Sequence, residues 1–113
     1  MKPDLKRSAL FLILINNIVA IDTSCDRLVA IGTLFIEKKF YRGCAKLGHV
    51  EDIVVNKDYG KKGIGQDVVA LLAKIGKANQ CYKLTLYCKN ELESFYSKND
   101  FYTTGLHMVV RFD

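Results

Sequence analysis

The chain has no tryptophan, a single proline (Pro3) and no apolar run long enough to cross a bilayer. With no proline after residue 3 there is no Pro-rich linker, and no repeat or low-complexity tract divides the 113 residues. One domain with one modest core is expected over 1–113. The four cysteines, Cys25, Cys44, Cys81 and Cys88, include no CxxC pair. That excludes a clustered zinc site and gives no disulfide framework, so reduced, mostly buried thiols and no metal are expected. The longest apolar run, ALFLILI at 9–15, is seven residues, against the roughly 20 that a spanning helix needs. It follows Lys2, Lys6 and Arg7, as a signal peptide would, but no clean small-residue cleavage pattern comes after it. A buried strand is the preferred reading and a signal peptide the alternative. No membrane partner is expected.

What is present is a basic chain of ordinary hydrophobicity. The net charge is +5 and the pI about 9.0, which suits an anionic partner. The basic residues are scattered rather than gathered, so a nucleic-acid patch has no support, whereas a pyrophosphate or a sugar phosphate would serve. A solvated basic surface accounts for most of them.

Periodicity supplies the order of elements. Residues 18–22 and 28–37 are β-rich and are separated by the polar stretch 23–27, the pattern of a hairpin. A strand at 48–55 (GHVEDIVV) carries Glu51 and Asp52 side by side. Adjacent residues of a regular strand point to opposite faces, so one carboxylate faces inward unless the strand is bulged. After the loop 56–65 (NKDYGKKGIG), Ile64, Val68, Leu71, Leu72 and Ile75 recur at helical spacing, with Gly76 and Asn79 as stop signals. Residues 82–88 alternate as a strand, 91–98 form a short helix carrying Phe95 and Tyr96, and 102–112 read as a closing strand. Strands and helices in this order predict an α/β (α+β) fold, a mixed sheet with helices packed on it.

The loop Gly60-Lys61-Lys62-Gly63-Ile64-Gly65 stands where a strand gives way to a helix. Glycines permit a tight turn, and the first turn of a helix offers unpaired N–H donors to a phosphate. It is neither a Walker loop nor GxGxxG, and a solvated turn is the commoner explanation of such a loop taken alone. Tyr96 alone is more often a half-buried aromatic than an acid, Arg111 a solvated charge, and His49 a hydrogen-bonded structural histidine. Glu51–Asp52 is the pair hardest to explain as structure only.

Gly63-Ile64-Gly65 after a strand resembles the pyrophosphate loop of the Gcn5-related N-acetyltransferases. The strings Lys38-Lys39-Phe40, GHVEDIVV at 48–55, Cys81-Tyr82-Lys83, Phe95-Tyr96 and Met108-Val109-Val110-Arg111 resemble, in order and spacing, the glucosamine-6-phosphate N-acetyltransferase family. The resemblance covers 18–113. It implies a Gcn5-related N-acetyltransferase fold and direct transfer of acetyl from acetyl-coenzyme A to an amino-sugar phosphate. Ile53, Val54 and Val55 would pair with the pantetheine arm. Lys61, Lys62, Gly63, Ile64, Gly65 and Gln66 would cradle the pyrophosphate, with Tyr87 close to the coenzyme. Tyr96 would protonate the departing thiolate, and Glu51 or Asp52 would accept or orient the amine proton. Glu51, Asp52 and Ile53, with Lys39, Phe40, Tyr41 and Arg42, would line the sugar, and Tyr82, Lys83 and Arg111 its phosphate. The family resemblance further implies a cytosolic homodimer whose acceptor sites are shared between subunits, the last strand crossing to the partner.

Three positions depart from the family's pattern. Gly60 replaces an arginine or glutamine, Tyr87 an acidic residue and Leu92 an asparagine, and each change removes a polar group from the reaction centre. The family also begins with a strand and two helices that 1–17 does not resemble, so the fold is expected to lack them. Two rival readings follow: the same fold acting on another amine, such as a polyamine or a protein N-terminus, and an acetyl-coenzyme A-binding module with impaired catalysis.

Overall fold

The computed structural model describes residues 9–14, 17–41, 43–60 and 62–113, the first segment as backbone only. Arg42, Lys61, residues 1–8 and residues 15–16 lie outside the described residues, and so does the burial expected of 9–15. The strands are β1 (Ala9–Leu14), β2 (Asn17–Asp22), β3 (Arg27–Lys38), β4 (Lys46–Val55) and β5 (Cys81–Thr85). The helices are α1 (Ile64–Ala78) and α2 (Glu93–Ser97), each preceded by a 3-10 turn, at Lys57–Tyr59 and Asn90–Leu92. A strand thus precedes the hairpin, as the apolar run implied, so the expected lack of a leading strand is not met. Among the described residues no helix comes before α1, and none is long and apolar enough to cross a membrane.

The sheet runs β1-β2-β3-β4-β5. Its first four strands are antiparallel neighbours, and β5 lies parallel to β4 after the α1 crossover. The β2–β3 hairpin turns where the polar stretch 23–27 predicted it. Of the positions that the three-to-four spacing selects on α1, Ile64, Val68 and Leu72 are buried and Leu71 and Ile75 half-buried, with Val69 and Gly76 buried beside them. Ile64, Val68 and Leu72 pack on Ile18, Ala20, Val29, Ala30, Leu34 and Val50 from three strands, and Gly76 lies against Leu84 of β5. Burying a side chain such as Leu72 contributes about 1.5–3 kcal/mol, so this interface is a main tie between helix and sheet. Asn79 ends α1 by donating from Nδ2 to the Ile75 carbonyl at 2.8 Å.

Three expectations are corrected. The fifth strand stops at Thr85 rather than running to residue 88; Leu84 and Leu86 still pack against the core, whereas Tyr82 and Cys88 are exposed. Residues 102–112 form no strand, because their backbone pairs with no described strand, and their apolar side chains are exposed. The cysteines are free, but Cys25, Cys44 and Cys88 are exposed and only Cys81 is half-buried. The first two fall in turns and Cys88 lies past the end of β5, beyond the reach of core packing.

Candidate active site

The site begins where β4 and β5 part. They pair from Lys46 with Cys81 to His49 with Thr85 and no further. Beyond that point Val50–Ile53 and Leu86–Lys89 become the walls of a cleft of about 360 Å³, closed by Leu92 and Tyr96. Among the described residues β4 is here paired only through its β3 edge, so backbone groups along its other edge face the cleft without a described strand partner.

The acidic pair sits on a β-bulge. Ile31 pairs with Val54 and Thr33 with Glu51, so Asp52 and Ile53 together stand opposite Gly32. Asp52 takes φ +55°, the left-handed region that aspartate tolerates better than most residues. The extra residue breaks the alternation, and both Glu51 and Asp52 are exposed in the cleft. The bulge, left open by the sequence, is therefore how two neighbouring carboxylates share one face.

Tyr96 faces this pair from α2. It is 9% exposed and is held edge-on by Phe95 (centroids 4.9 Å) and Phe101 (6.1 Å). Among the described residues none hydrogen-bonds its hydroxyl. Burial, then the nearby Cys88, raises its pKa above the ordinary phenol value, so the proton is retained at neutral pH. Tyr87 also lines the cleft and stacks on His107 at 4.0 Å between ring centroids, a contact that sequence reasoning missed.

The glycine loop lies at the far end of β4. Gly63 adopts φ +76° as the N-cap of α1, which favours glycine, and the first turn that follows carries the unpaired N–H donors. A Cβ on Gly65 would lie 3.0 Å from Phe95 Cζ and 3.2 Å from Val55 Cγ2, so the helix start, the end of β4 and the residue preceding Tyr96 touch. The Gln66 side chain is committed elsewhere: Nε2 donates to the Phe95 carbonyl at 2.7 Å, and Oε1 accepts from Asn99. Only its backbone N–H remains for a phosphate. A strand edge with unpaired amides that leads to a helix N-terminus has the form needed to take a long phosphorylated co-substrate.

The residues predicted to line the sugar from Lys39 to Tyr41, and those predicted for its phosphate, are not gathered at the cleft. Lys39 Nζ pairs with Glu37 Oε1 at 3.0 Å, Glu37 also accepts from His49 Nε2 at 2.9 Å, and Thr85 lies 3.4 Å from His49 Nδ1. These hydrogen bonds, from His49 first and Lys39 second, lower the Glu37 pKa, and His49 is the structural histidine expected. Phe40 and Tyr41 are exposed, and Lys83 Nζ lies 5.5 Å over the Tyr82 ring. Lys83 is paired with Leu47, about 13 Å along β4 from Glu51 at 3.3 Å per residue. Arg111 pairs with Asp113 at 2.8 Å on the exposed tail. Sequence reasoning also missed Leu86, Cys88 and Lys89 as lining, because the stretch 82–88 reads as one unbroken strand and only its pairing with β4 shows where it ends.

The sequence profile of the acetyltransferase (GNAT) family matches residues 5–101. A curated relative, glucosamine 6-phosphate N-acetyltransferase 1 of Dictyostelium discoideum, is 43% identical over 93 residues, covering 82% of this chain and 59% of that protein. The Schizosaccharomyces pombe glucosamine 6-phosphate N-acetyltransferase is 34% identical over 80% of this chain and 82% of its own length. The crystal structure of the Arabidopsis thaliana enzyme of that name superposes with a TM-score of 0.80 at 34% identity, covering 87% of this chain and 68% of that one. The chain spans between half and two-thirds of the length of most of the curated relatives that it matches. A profile match that runs from ahead of β1 to the end of α2, with a superposition over the same sheet, settles the kinship: the chain belongs to the acetyltransferase (GNAT) family.

Proposed function

We propose that the protein transfers acetyl from acetyl-coenzyme A to the amine of glucosamine 6-phosphate, giving the N-acetylated sugar phosphate used to make UDP-N-acetylglucosamine in the cytosol. The observation that carries this reading is the cleft in which the bulged Glu51–Asp52 pair meets the buried phenol of Tyr96. The curated relatives above, each named for this acetyl transfer, supply the acceptor.

The thioester provides the activated acetyl group; the chain's own residues orient the reactants. Unpaired β4 amides along the cleft can hold the carbonyl oxygen as it gains charge. Glu51 or Asp52 accepts or orients the amine proton, and Tyr96 supplies a proton to the leaving sulfur. Placement of both reactants in one cleft makes a covalent enzyme intermediate unnecessary. Within one protomer Lys39, Lys83 and Arg111 stand apart from the bulge, which supports an acceptor site completed by a second subunit, with Arg111 carried across on the exposed tail.

The test is release of free coenzyme A thiol with and without glucosamine 6-phosphate. Release that depends on the phosphorylated sugar is expected; equal rates with non-phosphorylated amines would remove that acceptor. Tyr87 and Leu92, which line the cleft in place of polar residues, favour a second reading, a binding module. Coenzyme binding without thiol release for any amine would establish that reading instead.

A further inference from the structure

Asp22 is the one buried carboxylate among the described residues, 2% exposed at the end of β2, and the chemistry proposed above does not use it. Oδ1 accepts from the Ser24 backbone N–H at 3.0 Å and from the Ser24 hydroxyl at 2.6 Å. Oδ2 accepts from the Tyr59 hydroxyl at 2.9 Å. Tyr59 is 8% exposed and lies 37 residues further along, in the 3-10 turn between β4 and α1. A buried carboxylate is costly unless its hydrogen bonds are made, and here the donors come from the hairpin turn and from the turn that leads into the glycine loop.

The same two segments are fastened at other points. Arg27 pairs with Asp58 at 2.8 Å and its guanidinium lies 5.7 Å over the Tyr59 ring. The Asn56 N–H donates to the Val29 carbonyl at 2.7 Å, while Asn56 Oδ1 caps the Asp58 N–H at 3.0 Å. The Tyr59 carbonyl then accepts from Lys62 N at 3.3 Å, Gly63 turns, and Ile64 opens α1. Four residues therefore separate an anchored ring from the helix's first donors.

We propose that Asp22 and Tyr59 are positioning residues for the coenzyme. Their hydrogen bond fixes the 3-10 turn at Lys57–Tyr59, and so sets where the amide donors at the start of α1 meet the diphosphate. This rests on the acetyl-coenzyme A reading, but it names residues outside the cleft and makes a demand of its own: the effect must follow the diphosphate rather than the acyl group.

The experiment compares coenzyme A and S-acetylpantetheine, which lacks the diphosphate, in the full chain and in Tyr59→Phe. Calorimetric titration of coenzyme A should show affinity weakened about tenfold, the size expected when a hydrogen bond to a charged group is lost. The acetyl-coenzyme A KM should rise by the same factor, with kcat within about twofold. The kcat/KM for S-acetylpantetheine should not move. Equal losses on both donors, or unchanged coenzyme affinity, would overturn the proposal and leave the function intact. Should Tyr59→Phe fail to fold, Arg27→Gln, on the exposed side of the same turn, carries the test: about threefold weaker coenzyme A binding with S-acetylpantetheine unaffected supports it, and no change overturns it. An unmodified chain that binds no coenzyme A would remove this proposal and the acetyltransferase reading together.

Discussion

Phe95 occupies the space that a side chain on Gly65 would need, its ring edge lying 3.0 Å from where a Cβ would stand. The helix that offers its N-terminus to a phosphate is thereby in contact with the segment that presents Tyr96. Alanine at this position would gain up to about 1 kcal/mol of helix propensity, but crowding a packed site costs about 1–3 kcal/mol. Crowding wins here, since Val55 Cγ2 closes the other side at 3.2 Å. Gly65→Ala should lower stability by about 1 kcal/mol and reduce kcat several-fold as Phe95 and Tyr96 shift. Thermal melts alongside steady-state rates check both; unchanged kcat would mean that the two aromatics move independently.

Tyr96→Phe should remove the proton donor while keeping the edge-on packing with Phe95 and Phe101. A general acid contributes about 10²–10⁴-fold, so kcat should fall within that range and coenzyme affinity should stay within about twofold. Because burial raises the phenol's pKa above 10.0, Tyr96 should impose no alkaline limb on the wild-type kcat profile below about pH 10. Rate measurements from neutral to alkaline pH, on both proteins, decide this.

Much of this was legible in the chain. The spacing of Ile64, Val68 and Leu72 reflects a helix face that must be buried, and the alternation in β2 and β3 a sheet face, so local pattern and tertiary packing agree. The Glu51–Asp52 anomaly flagged the bulge, because no regular strand places neighbours on one face. The parting of β4 from β5 had no local signal: it depends on pairing between residues more than thirty apart, and so Leu86, Cys88 and Lys89 went unseen. Gln66 carried the composition of a ligand contact but spends its side chain on Phe95 and Asn99, which only the packing of α2 reveals. The strand expected at 102–112 failed for a related reason, since a strand exists only where another backbone pairs with it.

The buried Asp22–Tyr59 pair predicts a pH dependence of stability with a definite sign. Hydrogen bonds, first from Ser24, hold the Asp22 pKa below its ordinary 3.8. The folded state therefore binds this proton less readily than the unfolded chain does, and the stability contributed is present above the unfolded value and lost as pH falls through the folded one. Tyr59, chiefly through its bond to Asp22, is pushed up to about 12; its contribution is present below 10.0 and lost as pH rises through about 12. In urea titrations the midpoint of the wild type should fall between about pH 6 and pH 3 by more than that of Asp22→Asn. Glu37, also lowered, titrates in both proteins and cancels in the comparison. Parallel curves would show that Asp22 does not titrate with folding.

The exposed tail makes the last prediction. Leu106, Met108, Val109, Val110 and Phe112 all project into solvent, an apolar stretch that a soluble monomer would rarely display. Pairing with a second copy would satisfy both its backbone and its side chains, and would carry Arg111 away from Asp113 towards the partner's acceptor site. Sedimentation should therefore find a dimer, and the double change Met108→Lys with Val110→Lys should shift it towards monomer by charging that tail. Arg111→Ala should leave the dimer and the coenzyme KM unchanged and raise the glucosamine 6-phosphate KM roughly tenfold, the loss of one charged hydrogen bond. A chain that is monomeric yet fully active, or an Arg111→Ala variant with unaltered sugar KM, would mean that the acceptor phosphate is held within one subunit.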